Sequence, residues 1–182
     1  MRTLRAIVSK TLCAGVVALL ATDARALGFV FETLPAGGAI TAEAGATVGW
    51  GYRITNPTSD RWLAISALDA GLFEYGTPDA GLFDFPVLAP GAVREITYDG
   101  ANGLFAFAWS PVAPSGFANL GTFVLAADWF DGDPLAAGAF LEAADDVSAG
   151  YRTAIVPEPA AATLLAAGLV GLAAARRRRP VD

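Results

Sequence analysis

The sequence predicts an all-β domain, an antiparallel β-sandwich set between two terminal segments of different character. Three observations carry this. From Gly28 to Ile155 the apolar residues come in short runs separated by Gly, Pro, Asn and Asp. The clearest run, Thr47–Thr55, alternates strictly: Val48, Trp50, Tyr52 and Ile54 fall on one face, and Thr47, Gly49, Gly51, Arg53 and Thr55 on the other. No stretch of the body keeps helical spacing long enough to compete, and only Ala137–Ala144 is ambiguous, because alanine favours helix.

The first segment is a targeting signal. Met1–Lys10 is positively charged, Thr11–Ala21 is apolar, and Ala24-Arg25-Ala26 fits a small-x-small cleavage site, so residues 1–26 read as a signal peptide with a mature start at Leu27. The alternative is a retained anchor, and the run is short of the ~20 apolar residues a span requires. Cys13 lies within that run. A lipoprotein reading fails because Leu12 is not small and the residues before it are basic.

Residues 27–155 form one domain of ordinary size. Gly28–Glu32 reads as a first strand, ended by Pro35-Ala-Gly-Gly38. After Thr47–Thr55, the turn chemistry of Asn56-Pro57-Thr-Ser-Asp60 predicts a hairpin with Arg61–Ser66 as the returning partner. The missing side chains of Gly49 and Gly51 invite a close backbone or aromatic ring. Leu72–Tyr75 and Leu82–Leu88 follow, with a break at Gly76–Gly81; Pro86 makes the latter an edge or irregular strand. Val93–Tyr98, Leu104–Trp109, Gly121–Phe130, Leu135–Phe140 and Tyr151–Ile155 complete the series, with Glu142–Asp146 as a polar connection. Eight or nine such strands point to an Ig-like or fibronectin-like sandwich. The Trp50-x-Tyr52-x-Ile54-x-Asn56-Pro57 run resembles central strands of bacterial Ig-like adhesive modules.

Composition restricts the chemistry. Residues 27–155 hold fifteen acidic side chains and four arginines (Arg53, Arg61, Arg94, Arg152), a net charge of −11 that repels nucleic acid. The chain has no histidine, and its one cysteine lies in the signal segment, which removes disulfides, thiol chemistry and the commonest general base from the mature domain. Asp84, Glu95, Asp99 and Asp128 are candidates for a hydrolytic carboxylate pair, but enzyme activity is not expected from this inventory. Asp128, Asp131 and Asp133, around Gly132, supply oxygen ligands of the kind Ca²⁺ takes, with Asp145 and Asp146 as possible completions; the plainer reading is a hairpin turn. Of Trp50, Trp62, Trp109 and Trp129, the sequence favours Trp50 as core and Trp129 as an exposed sugar-binding ring.

Residues 156–182 have a different design. Pro157-Glu158-Pro159 precedes an apolar stretch, Ala160–Ala175, and then Arg176, Arg177, Arg178 and Arg179. The apolar stretch reads as a transmembrane helix, and the arginines set its C-terminal end in the cytoplasm. Together the three parts resemble the PEP-CTERM sorting signal of Gram-negative bacteria. That resemblance implies an exosortase, a membrane enzyme that recognises Pro157, Glu158 and Pro159, a transient inner-membrane anchor with the body in the periplasm, and final release or display at the cell surface or outside the cell. It also implies an exopolysaccharide setting. The expected function is structural or adhesive, with a carbohydrate- or Ca²⁺-binding module as the alternative and a secreted hydrolase as a weaker third.

Overall fold

A computed structural model describes residues 28–156, together with 167–170 and 172. The described chain is mainly strand. In order these are β1 (Val30–Leu34), β2 (Ala39–Ala42), β3 (Thr47–Thr55), β4 (Trp62–Ala70), β5 (Gly76–Asp79), β6 (Val87–Leu88), β7 (Val93–Ile96), β8 (Phe105–Trp109), β9 (Ala118–Phe130), β10 (Phe140–Ala143) and β11 (Val147–Ile155). Sheet 1 runs β1–β3–β8–β5, with β7 also on β3; sheet 2 runs β2–β11–β9–β4–β6, with β10 also on β9.

The alternation of β3 positions the core as expected. Trp50, Tyr52 and Ile54 are fully buried. The Trp50 ring lies 5.4 Å from Phe123 and 5.5 Å from Tyr151, both on sheet 2, so the inner faces of the two sheets share one apolar cluster. The indole N–H of Trp109 on β8 donates to the Thr153 hydroxyl on β11, which ties the sheets together and satisfies a buried donor. On the other face of β3 the Tyr98 ring lies against Gly49 and the Ile96 carbonyl against Gly51, both closer than any side chain would allow.

The expected hairpin does not form. β3 pairs with β1, β7 and β8, whereas β4 pairs with β9 and β6. Both strands carry an apolar face, and these faces meet across the core instead of lying side by side. The crossing is fixed by Asn56, which is fully buried. Its amide nitrogen shares two protons among the carbonyls of Arg61, Leu88 and Ala89, at 2.8, 3.2 and 3.0 Å. Its oxygen accepts from the Thr58 backbone N–H and hydroxyl. One side chain thus replaces the backbone pairing that a hairpin would have provided.

Other expectations change as well. The sheets are not purely antiparallel, because β2 runs parallel to β11. Leu72–Tyr75 is not a strand: it drops Phe73 into the aromatic cluster, stacked 4.7 Å from Tyr151. Gly76–Asp79, read as a break, pairs with β8 at the sheet edge, where Pro78 costs little. Leu135–Phe140 is not a strand, since Pro134–Ala136 forms a 3₁₀ turn and pairing starts at Phe140 and takes in Glu142 and Ala143. Ala137 ends that turn in the left-handed region at φ 76°, so Ala137–Ala144 holds no helix. The brief Val87–Leu88 strand bears out the reading of Pro86 as an edge signal.

Two stability results follow from these contacts. Asn56→Ala removes a donor from three carbonyls, of which Arg61 keeps the Thr58 hydroxyl and Ala89 keeps the Ala92 N–H, and it should lower unfolding free energy by about 2 kcal/mol in a denaturant titration. The Tyr151 hydroxyl is buried with no partner, lying against Gly71 and Gly121. Tyr151→Phe should therefore raise stability by about 1 kcal/mol in the same titration, whereas a loss would reveal a bond at that oxygen.

Candidate functional site

The sites expected at the chain ends (Ala24, Ala26, Pro157, Glu158, Pro159 and Arg176–Arg179) lie outside the described residues. Of the expected transmembrane stretch 160–175, only 167–170 and 172 are described, and these are helical. Among the described residues no helix is long and apolar enough to cross a membrane.

The candidate carboxylates are distributed over several separate structures. Asp84 accepts from the Tyr52 hydroxyl and, at 2.7 Å, from the Arg94 guanidinium. Arg94 pairs with Ile54 across β7 and β3, which puts it at the core-side rim of sheet 1, where Leu82, Ile96, Asn102 and Gly103 complete a small cleft. Burial works against ionisation of Asp84, yet the hydrogen bonds from Tyr52 and Arg94 hold its carboxyl below the usual range. Burial first, and then the bond to Asp84, pushes the Tyr52 phenol up. Glu95 pairs with Arg53 at 3.4 Å. Asp99 accepts from the Asn102 side chain and from the Ala101 and Asn102 N–H groups, and these bonds hold its exposed carboxyl below the usual range. Asp128 stands on sheet 2, on the face away from the core.

The three aspartates read as possible Ca²⁺ ligands are put to different uses. Asp131 accepts from Ala139 N–H at 2.6 Å, and Asp133 caps the 3₁₀ turn by accepting from Leu135 N–H at 2.9 Å. Asp128 lies further back on β9, opposite Ala64 and Ala143. Among the described residues no group of three such side chains is arranged to hold a metal ion.

The tryptophans correct one expectation. Trp129 is 1% exposed and belongs to the core, because β9 alternates and its odd-numbered positions face inward. Trp50 and Trp109 are also buried, and Trp62 is only half-buried. Trp62 pairs directly with Phe130, and Phe130 pairs directly with Phe140. Side chains directly opposite one another share a face, so three aromatic residues stand in a row across β4, β9 and β10 on the outside of sheet 2. Phe140 is 60% exposed, and its ring meets Phe130 edge-on at 6.0 Å. Asp128 borders this row, whereas Glu142 pairs with the inward-facing Trp129, so its ion pair with Arg61 lies at the rim of the opposite face. The period-two pattern of β9 could have revealed that Phe130 faces outward. The partner Phe140 was hidden by the bulge that shifts register between Phe140 and Glu142.

No family model matches the chain, and no curated protein matches it.

The Asp84 cluster predicts a pH profile. The folded Asp84 pKa is depressed, so its contribution is complete above the ordinary carboxylate value of about 4 and is lost as pH falls through the folded value. The folded Tyr52 pKa is raised, so its contribution is complete below about 10 and is lost at higher pH. Denaturant midpoints should therefore fall at both extremes, and Asp84→Asn should flatten the acid limb.

Proposed function

We propose that this chain is an exported, non-enzymatic surface or extracellular-matrix protein with a structural or adhesive role, sorted by an exosortase-type system. In this reading residues 1–26 direct export and are cut away after Ala26. Residues 27–155 are an Ig-like adhesive domain held outside the inner membrane. Residues 156–182, which resemble the PEP-CTERM signal, anchor the precursor and present Pro157-Glu158-Pro159 to the enzyme. One observation carries the proposal. β11 ends at Ile155, and Val156 N–H still donates to the Ala42 carbonyl, so sheet pairing reaches the residue directly before the Pro157-Glu158-Pro159 motif. A processing enzyme needs an accessible, extended junction, and two prolines flanking Glu158 keep that segment out of both the preceding strand and a following helix.

The Ig-like assignment is supported by strand order. The first strand position is divided between sheets, β1 lying on β3 and β2 lying parallel to β11. The β11–β9–β4 series supplies the opposite sheet. The sorting claim has a direct test in a host carrying an exosortase. The double variant Pro157→Ala, Glu158→Ala should remain in the inner membrane at full length, read by immunoblot of membrane and extracellular fractions. If the variant is still shortened and released, the sequence is an ordinary tail anchor and the sorting reading is wrong.

A further inference from the structure

We propose that the aromatic row Trp62, Phe130 and Phe140 is a binding strip for a neutral, hydroxyl-rich polysaccharide. The inference deepens the adhesive reading above and rests on it only in requiring that the domain meet such a polymer outside the cell. The geometry comes first. Neighbouring strands lie about 4.8 Å apart, so the row extends roughly 10 Å across β4, β9 and β10, a length comparable with a short run of sugar rings in an extended chain. Sugar rings expose apolar C–H faces and a rim of hydroxyls. Aromatic side chains cover the former, while carboxylates and guanidinium groups bond the latter. The rings and one carboxylate are present here: Asp128 shares the outer face with the row and is flanked by Ala64 and Ala143, whose short side chains leave room over it.

Charge selects the occupant. The domain carries −11, and three of its four arginines are engaged with Glu95, Glu142 and Asp84. An acidic polymer or an anionic lipid surface is repelled, and so is a second copy of the same acidic domain. A neutral polymer meets no such barrier and gains the Asp128 carboxylate as an acceptor for its hydroxyls. Position agrees with this. β9 pairs with Ala154 through Ala118 at one end and with Trp62 and Phe140 through Phe130 at the other, so the strip lies at the pole away from the C-terminal junction.

The test uses the full chain in detergent micelles, run in native gels containing a neutral β-glucan, a neutral mannan or the acidic polymer alginate. Retardation by at least one neutral polymer and none by alginate is expected. Trp62→Ala and Phe140→Ala should each weaken it about tenfold, as the loss of a stacking ring would. Phe140→Tyr should keep it, and Leu135→Ala, an exposed apolar change off the row, should leave it unaltered. Phe140 is 60% exposed, so its alanine variant should fold, checked by an unchanged melting temperature. No retardation by either neutral polymer, equal retardation by alginate, or binding that survives Phe140→Ala overturns the proposal. Self-association abolished by Phe140→Ala also overturns it and assigns the row to a contact between copies. The Pro157→Ala, Glu158→Ala variant should bind as the parent does, so failed sorting with intact binding and failed binding with intact sorting are separate results.

Discussion

The side-chain amide of Asn56 is the contact on which the two-sheet arrangement depends. β3 and β4 are separated by six residues and each has an apolar face, so local pairing would be the shortest route for the chain. By bonding the carbonyls of Arg61, Leu88 and Ala89, Asn56 satisfies the backbone at a point where the chain leaves one sheet and enters the other. The β4 face bearing Leu63 and Ile65 then turns toward the β3 face bearing Trp50 and Tyr52. Placing a polar group at full burial is costly unless every bond is made, and here its donors and its acceptor are both occupied.

From that crossing the polarity of the molecule follows. β4 enters sheet 2 with Trp62 leading and runs antiparallel to the thirteen-residue β9, so Trp62 and Phe130 meet at one pole. β11 is also antiparallel to β9, along its other half, and delivers Ile155 to the opposite pole. The same alternation that buries Leu125, Ala127 and Trp129 turns Asp128 and Phe130 outward. Core and candidate binding face are therefore two sides of one strand.

Much of the fold was legible in the sequence because strand alternation is local. Val48–Ile54 declared both its strand and its buried face, Phe105–Trp109 and Phe123–Trp129 declared their strands, and Gly49 and Gly51 announced close neighbours. Pairing was not local and was harder to read. Asn56 has the composition of a turn residue, and nothing within Asn56–Asp60 distinguishes a hairpin turn from a buried crossing. The acidic turn was readable as a turn, since Asp131 and Asp133 serve backbone N–H groups. Counting Trp129 as exposed came from its proximity to that turn; the strand's period outweighs it.

The central claim is that the C-terminal junction and the aromatic strip occupy opposite poles of one rigid domain. Spin labels on cysteines introduced at Leu135 and Val156, with Cys13 replaced by serine, measure this by pulsed electron–electron distance spectroscopy. The twelve residue steps of β9 predict a separation of about 40 Å. A distribution centred at about 25 Å or less would contradict the strand order, because it would require β9 and β11 to bring their far ends together.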